Sequence, residues 1–373
     1  MMLPNGWKKV KLGDILTAVD YGTAAKSDAI GKYPVLRMGN LENGYLVWDD
    51  LVYSSSEEEY AKYELKKGDI LFNRTNSRDK VGKTSIYRGE RPSIFAGYLI
   101  RLKVNNECDP YYVNYCMNSK RFAEFCKSVR TDAIGQSNIN AQVLQTYDFS
   151  LPPVEEQKKI AATLSVWDSA IEKMEKLIEA KENELNIVLR QNLLEKGIAL
   201  KWKEIPLTEI LKSVTPPSKI HQDSYLNSGK YPIVDQSKDL IAGWTNDESS
   251  VLKINRPLII FGDHTCALKI MHMPFAQGAD GIKILSAKDG YDPTYIYYAI
   301  KANPVIPEGY KRHFSALMLK SILCPSLEEQ KKHAVYFKSL DEEISLLKQQ
   351  LENYKKQKQG LMQKLLTGQW RVK

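Results

Sequence analysis

The same short sequence motifs occur twice along this chain of 373 residues, in the same order. A repeat this long exceeds the unit of any solenoid and is typical of duplicated domains. We therefore expect two similar globular domains, which meet a partner at two similar but non-identical places. The repeated signals are Trp7 and Trp202, the Gly-Lys-Tyr-Pro segments 31–34 and 229–232, the Asp-Pro pairs 109–110 and 292–293, and the Glu-Glu-Gln-Lys-Lys segments 155–159 and 328–332.

A long helix is predicted at the end of each copy. Residues 154–196 contain no Gly and no Pro, and their apolar side chains alternate at spacings of four and three, which is typical of a coiled coil. The same register reappears 173 residues later, although Gly360 is expected to weaken the second helix. The predicted coiled-coil interface consists of Leu164, Trp167, Ile171, Ile178, Phe337, Leu340, Ile344 and Leu351.

The connection between the copies predicts how the helices pair. Residues 198–202 lead directly from the first helix into the second globular segment, so an antiparallel coiled coil would hold the two domains apart as a spacer. The alternative is an amphipathic helix buried within one domain. We predict a first globular domain at 1–153, a spacer helix at 154–196, a second globular domain at 197–326 and a second spacer helix at 327–373.

The two globular segments are predicted to be mixed α/β (α+β) domains. Short apolar runs bounded by Gly, Pro, Asn or Asp indicate strands, and Asp109 and Asp292, each followed by Pro, indicate capped helix starts. One helix is expected to run from there to Ser119 and the other to Ala302. The predicted strands are 33–38, 69–73, 84–87, 96–104, 231–234, 258–261 and 281–285.

Polar loops between these elements carry side chains that can contact nucleic acid. Arg and Lys suit guanine or phosphate, and Asn and Gln suit adenine. Solvated turns use the same residue types, but the loops recur at corresponding places with different residues, as two unlike half-sites would require. The predicted DNA-binding residues are Arg74, Asn76, Arg78, Lys80, Gln136 and Asn138 in the first copy, and His264, Lys311, Arg312 and His313 in the second.

Composition excludes several classes of protein. No apolar run is long enough for a membrane span and no signal peptide is evident, so a cytoplasmic protein is expected. Five cysteines without a Cys-x-x-Cys pair predict reduced thiols. The net charge of +8 is compatible with a nucleic-acid partner without requiring one.

Two motifs resemble catalytic or metal sites but lack the residue spacing that such sites require. Gly82-Lys83-Thr84 imitates the end of a phosphate-binding loop, but Ser77 stands where that loop needs Gly, and a strand is expected to follow. His264, Cys266 and His272 fit no zinc spacing and lack a further ligand. We therefore predict no catalytic residue, no metal site and no cofactor in this chain.

The order of these segments resembles one family. A globular domain, the segment Leu-Pro-Pro-Val-Glu-Glu-Gln at 151–157 and a long helix are followed by a second domain, Cys-Pro-Ser-Leu-Glu-Glu-Gln at 324–330 and a second helix. Over essentially the whole chain this is similar to the specificity subunit of type I restriction-modification systems. Cys324 and Ser326 depart from the Leu and Pro that are more usual there.

The resemblance implies a non-catalytic, DNA-binding subunit. Each globular part would be a target recognition domain in the major groove, and together they would read a bipartite double-stranded DNA site. The helices would bind two methyltransferase (M) subunits that use S-adenosylmethionine, and restriction (R) subunits that use ATP and Mg would join them. A structural protein whose coiled coil joins two protein-binding domains is the alternative, and an NTPase is a third hypothesis.

Overall fold

The computed structural model describes residues 3–133, 135–278, 281–309 and 311–372. It is a mixed α/β structure with two compact units. Unit 1 contains residues up to Lys173 together with Leu351–Lys373, and unit 2 contains Met174–Gln350. Two long helices, α5 (Val154–Arg190) and α10 (Leu327–Leu366), therefore contribute to both units. Gly360 does not interrupt α10.

Unit 1 is built mainly from short antiparallel strands. Its largest sheet has the order β2-β11-β7-β9, and β1 pairs with β14. The strands are β1 (Lys8–Lys11), β2 (Leu16–Tyr21), β3 (Tyr33–Leu36), β4 (Leu41–Glu42), β5 (Tyr45–Leu46), β6 (Val52–Ser54), β7 (Ile70–Asn73), β8 (Thr75–Asn76), β9 (Thr84–Ile86), β10 (Ile94–Phe95), β11 (Leu99–Val104), β12 (Thr131–Ala133), β13 (Gln136–Asn138) and β14 (Asp148–Leu151). The helices besides α5 and α10 are α1 (Glu57–Tyr63), α2 (Pro110–Cys116), α3 (Lys120–Val129) and α4 (Ala141–Leu144).

Unit 2 contains a sheet of order β16-β23-β20-β21, and β15 pairs with β24. A π-helical turn (Gln191–Glu195) continues α5 into α6 (Lys196–Ala199), and the other helices of the unit are α7 (Leu207–Ile210), α8 (Pro293–Ala302) and α9 (Phe314–Met318). The strands are β15 (Lys203–Pro206), β16 (Leu211–Ser213), β17 (Tyr231–Val234), β18 (Gly243–Thr245), β19 (Val251–Leu252), β20 (Leu258–Gly262), β21 (Leu268–Met271), β22 (Phe275–Gln277), β23 (Ile282–Ala287) and β24 (Ser321–Cys324).

Apolar strand faces contribute to the cores of both units, and in unit 1 they meet helices. In unit 1 the end of α10, with Leu365 and Leu366, packs into the same cluster as Trp7, Ile160 and Leu164. In unit 2 a cluster around Ile260 and Phe275 lies between the sheets. Buried apolar side chains supply most of the stability of such domains, at about 25 cal/mol per Å² removed from water.

Most predicted strands are present, but the strand expected at 96–104 begins only at Leu99, and the short strand β10 just before it was not predicted. β10 pairs in parallel with β3, whereas β11 pairs with β2 and β7 in another sheet. The turn at 96–98 moves the chain from one sheet to the next, and the Gly97 amide donates to the Thr23 carbonyl at 2.7 Å. An apolar run without polar punctuation hides such a change of sheet.

The capped helices begin where the sequence predicts. The carboxylate of Asp109 accepts from the Tyr112 amide at 2.8 Å, and that of Asp292 accepts from the Tyr295 amide at 2.8 Å. The first helix, however, ends at Cys116 instead of Ser119. Ser119 caps a separate helix, α3, through a bond from the Phe122 amide.

Candidate nucleic-acid interface

In unit 1, the structure brings together the two segments that were predicted to contact DNA. They are not loops, because β8 and β13 pair as strands, with Thr75 opposite Asn138 and Asn76 opposite Ser137. β12 extends this small sheet on the other side of β13. The Ile139 amide also donates to the Arg74 carbonyl at 2.9 Å. The polar sequence obscured these strands, because turns favour the same residue types.

Strand geometry divides the predicted residues between two faces of this sheet. Successive side chains of a strand point to opposite faces, and cross-strand partners share a face. Thr75, Asn138 and Gln136 therefore lie on one face. Asn76 lies on the other face with Ser137; Asp132 shares it as the partner of Ser137.

Arg74 directly precedes β8 and is half-buried. Its guanidinium stacks over the Tyr21 ring, 4.9 Å from the centroid, and its Nε donates to Thr75 Oγ1 at 3.2 Å. The Asn138 Nδ2 donates to the same hydroxyl oxygen at 2.7 Å. Thr75 is 5% exposed, so this shared acceptor is shielded from water. Nothing in the sequence distinguished Tyr21 or Thr75 as parts of this arrangement.

Arg78 is exposed but is held by an acidic side chain of the same sheet. Its Nε and Nη2 both donate to Asp132 Oδ2, at 2.9 and 2.6 Å. Ser137 donates to the other oxygen of that carboxylate at 2.5 Å, and Arg130 Nε lies 3.2 Å from it. Hydrogen bonds from Ser137 and Arg78 lower the pKa of Asp132. The same bond raises the pKa of Arg78, so the pair is ionised at neutral pH.

The remaining predicted residues of unit 1 lie at the surface. Asn76 is half-buried and its side-chain oxygen accepts from the Ser77 amide at 2.7 Å. Lys80 is exposed in the turn that follows β8, and Gln136 is exposed at the start of β13. Both side chains can therefore reach a ligand without breaking a buried contact.

In unit 2, the corresponding segments also meet, although through a different contact. The His313 amide donates to the Asp263 carbonyl at 2.7 Å, and the Asp263 carboxylate accepts from the amides of His313 and Phe314 at 3.0 and 2.9 Å. Asp263 therefore supplies the cap of α9. Because Asp263 is 5% exposed, the contact belongs to the interior of the unit.

Unlike the other predicted DNA-binding residues of unit 2, His313 is buried inside the protein. Its side chain is 2% exposed, Nδ1 lies 3.2 Å from the Asp263 carbonyl oxygen, and Nε2 accepts from the Glu308 amide at 3.0 Å. Since both ring nitrogens contact backbone groups inside the protein, this side chain stabilises the loop and is not accessible to DNA. We keep the prediction of DNA contact only for the other nine residues.

The neighbouring residues of that loop are accessible. Lys311 and Arg312 are exposed, and Lys311 Nζ lies 2.6 Å from Glu308. His264 is half-buried beside Thr265, whose hydroxyl donates to the Gln236 carbonyl at 2.7 Å. Gln236 thus joins the same edge, although nothing in its local sequence marks it.

The predicted interface residues of the long helices are buried or half-buried. Leu164 and Phe337 are 0% exposed, and the Trp167 ring meets the Tyr354 ring edge-on within unit 1, with centroids 6.0 Å apart. Ile178, Ile344 and Leu351 are also buried, and Trp167, Ile171 and Leu340 are half-buried.

The motifs that resemble catalytic or metal sites lie in ordinary structural surroundings. Thr84 of Gly82-Lys83-Thr84 begins β9, so a strand follows the motif, and Lys83 pairs with Glu42. Within residues 3–133, 135–278, 281–309 and 311–372, no group of three or more His, Cys, Asp or Glu side chains could hold a metal ion. Across the same residues, no helix combines the length and apolar character needed to span a membrane.

Comparison with known proteins identifies similar chains. A family model described as the type I restriction modification DNA specificity domain matches residues 4–182. A protein from Methanocaldococcus jannaschii, described as a putative type I restriction enzyme MjaX specificity subunit, is 30% identical over 415 residues, which covers 100% of this chain and 95% of that protein.

Two solved structures share the fold. The S subunit of a type I restriction-modification system from M. genitalium superposes with a TM-score of 0.62 at 18% identity, over 98% of each chain. A chain from a structure concerning complex assembly and conformational transition of the type I R-M system gives a TM-score of 0.56 at 15% identity, over 99% of this chain and 100% of that chain.

Proposed function

This chain belongs to the family of type I restriction-modification DNA specificity subunits, and from that premise we propose that it reads a bipartite double-stranded DNA site. In this proposal residues 1–153 and 197–326 are two target recognition domains, and each reads one half of the site. The chain itself performs no chemistry. Its contribution is to select the DNA on which its partner subunits act.

One observation carries the proposal. In each unit, the segment that follows a central strand meets the segment that precedes the last strand, through the Arg74–Ile139 bond in unit 1 and the Asp263–His313 bond in unit 2. The predicted DNA-binding side chains that are accessible around these bonds are basic or amide-bearing, the types that read base edges or bind phosphate. They differ between the units, as two half-sites of unlike sequence require.

We also infer that the long helices form an antiparallel coiled coil and that the chain is an internal duplication. Residues 154–196 and 327–373 would be the two spacer helices. In unit 1, Glu156 contacts Arg371 at 2.7 Å and Asp168 contacts Lys358; in unit 2, Glu182 contacts Lys348 at 2.5 Å. The Trp202 ring lies 5.5 Å from that of His333. Within each unit, positions rise along one partner as they fall along the other, which supports antiparallel pairing.

The partners follow from family membership. We propose that two methyltransferase subunits and restriction subunits assemble with this chain, and that S-adenosylmethionine, ATP and Mg are bound by those subunits. A similar solved chain belongs to a study of complex assembly in the type I R-M system, which supports this part of the proposal.

Selection from a random double-stranded DNA library tests the function. The full chain, co-expressed and purified with its methyltransferase subunits, should enrich two short sequence blocks separated by a fixed number of unspecified base pairs. Exchanging residues 20–145 for the equivalent segment of another specificity subunit should change one block and leave the other block and the spacing unchanged.

The outcomes separate the two hypotheses. Binding that is weak, insensitive to salt and without sequence enrichment would favour the structural coiled-coil protein, because DNA binding through phosphates weakens steeply with salt. If the exchange altered both blocks, the assignment of one domain to each half-site would be wrong. The matched control is an exchange of residues 215–315, which should change only the other block.

A further inference from the structure

We infer that Thr75 is a positioning residue that holds Arg74 and Asn138 as a pair for reading one or two adjacent base pairs. The inference rests on the proposed function, because it names how unit 1 would read its half-site. From the sequence alone, the six predicted DNA-binding residues of unit 1 could not be ranked. The contacts distinguish a preorganised pair, Arg74 and Asn138, from the other four residues.

Arg74 has the geometry of a base-reading arginine. Its Nε is bound to Thr75 Oγ1 and its guanidinium carbon lies over the Tyr21 ring, so the guanidinium is held at two points. No acceptor in the described part of the chain bonds its Nη1 or Nη2. Two parallel N–H groups can donate to O6 and N7 of guanine, and a fixed guanidinium loses less entropy when it does so.

Asn138 is held by the same oxygen. One N–H of its Nδ2 donates to Thr75 Oγ1 at 2.7 Å. The second N–H and the Oδ1 remain for a ligand, and together they match the N7 acceptor and N6 donor of adenine. Gln136, two residues earlier on the same face of β13, extends this edge and is exposed.

The shared acceptor limits how far apart the two readers can lie. Because Arg74 Nε and Asn138 Nδ2 both bond one oxygen, they lie within about 6 Å of each other. Successive base pairs are about 3.4 Å apart along the duplex, so the two side chains would meet the same or neighbouring base pairs. Thr75 is buried and lies directly opposite Asn138 in the strand pair, which fixes this arrangement before DNA binds.

Arg78 lacks this geometry. In Arg78 one of the two terminal nitrogens, Nη2, is already bonded to Asp132 together with Nε, on the opposite face of the small sheet. Its other contact is also structural, since Arg130 Nη1 donates to the Arg78 carbonyl at 3.1 Å. Arg78 therefore organises the sheet, and Arg130, which binds the same carboxylate, serves as the control for Arg74.

The test compares variants by library selection and by binding at several salt concentrations. Arg74→Ala and Asn138→Ala should each relax preference by about 5- to 100-fold, at the same position or at adjacent positions of one half-site. Thr75→Val, which keeps the shape and removes the hydroxyl, should relax those same positions. Thr75→Ser restores the hydroxyl and should restore the preference, while Arg130→Ala, at an arginine outside the predicted DNA-binding residues, should leave the preferred bases unchanged.

Each outcome decides the inference. Thermal melting identifies any variant that fails to fold, and if Thr75→Val does so, the Arg74→Ala and Asn138→Ala pair still tests the shared position. Relaxation at distant positions, or an equal loss on all sequences, would overturn the inference. If the inference is overturned in this way, an unchanged preference in the other half-site would show that the proposed function still holds. A parent chain without any sequence preference would instead refute the proposed function itself.

Discussion

At the residue scale, the glutamine of the repeated Glu-Glu-Gln motif makes several hydrogen bonds that its position at a helix start does not suggest. Gln157 accepts from the Asp109 amide at 2.7 Å and donates to the carbonyls of Pro152 and Glu107, at 2.8 and 3.1 Å. Gln330 accepts from the Asp292 amide at 3.0 Å and donates to the Pro325 carbonyl at 3.0 Å. Each glutamine therefore ties a long helix to the start of a helix in its globular domain.

Replacing these glutamines should destabilise the two units unequally. Gln157 is 1% exposed, so Gln157→Leu leaves buried polar groups without partners and should lower the free energy of unfolding by about 2–5 kcal/mol. Gln330→Leu removes two bonds instead of three and should cost less. Thermal melting with hydrogen exchange of each unit measures the difference. Glu155→Gln, at an exposed neighbour, is the control, and equal losses in all three variants would contradict the assignment.

Predictability at this scale depends on the distance along the chain between the partners. The caps by Asp109 and Asp292 involve residues three positions apart, so their local pattern was sufficient to locate both helix starts. The bond from Asn138 to Thr75 joins residues 63 positions apart. No local signal encodes such a bond, and for the same reason the burial of His313 against Asp263 could not be foreseen.

At the element scale, the two long helices use different residues at corresponding positions. Ile160 in α5 corresponds to His333 in α10, and Ile160 is fully buried. His333 is half-buried, with its ring stacked on Phe337 at 5.6 Å and near Trp202. Burial, and secondarily the charge of Lys196, lower the pKa of His333. The heptad pattern located this position but did not indicate its sensitivity to pH.

The stability of unit 2 should therefore fall as the pH is lowered. A histidine whose folded pKa lies below its unfolded value of about 6.5 contributes stability above that pH, and this contribution is lost as the pH falls towards the folded pKa. His272, whose pKa is also lowered by burial, adds to the effect. His333→Ile, which copies Ile160, should reduce the fall in melting temperature between pH 7 and about pH 5.

A matched control separates titration from packing. Phe337→Leu disturbs the same stack while leaving the histidine in place, so it should lower the melting temperature by a similar amount at every pH. Melting curves of both variants from about pH 5 to 8 decide the point, since histidine titrates in this range. If His333→Ile retained the full pH dependence of the parent chain, another group would be responsible.

At the scale of the whole molecule, the sequence anticipated a mixed α/β chain with two units and long helices. It did not anticipate that the last residues of the chain would pack into unit 1. Arg371 donates to Glu156 through Nε and Nη2, at 2.9 and 2.7 Å, and Trp7 Nε1 donates to the same carboxylate at 3.2 Å. This contact joins three distant parts of the sequence around one half-buried ion pair. Sequence periodicity describes single segments and carries no information about such a junction.

The proposed spacer role of the helices makes a quantitative prediction about the DNA site. Inserting seven residues into each helix, after Ile178 and after Leu351, keeps the apolar heptads in register and lengthens each helix by about 10 Å. At about 3.4 Å per base pair, the preferred spacer should grow by about two or three base pairs, while both half-sites stay unchanged. Library selection on the assembled complex measures the spacer directly.

A shorter insertion supplies the control for this prediction. Four residues in each helix interrupt the heptad repeat and locally unwind the packing, so this variant should assemble less well than the longer one. The comparison separates length from register, because the variant with the smaller change in length has the larger defect. If the seven-residue variant selected only the original spacer, the helices would not set the distance between half-sites, and the function of α5 and α10 would be limited to assembly.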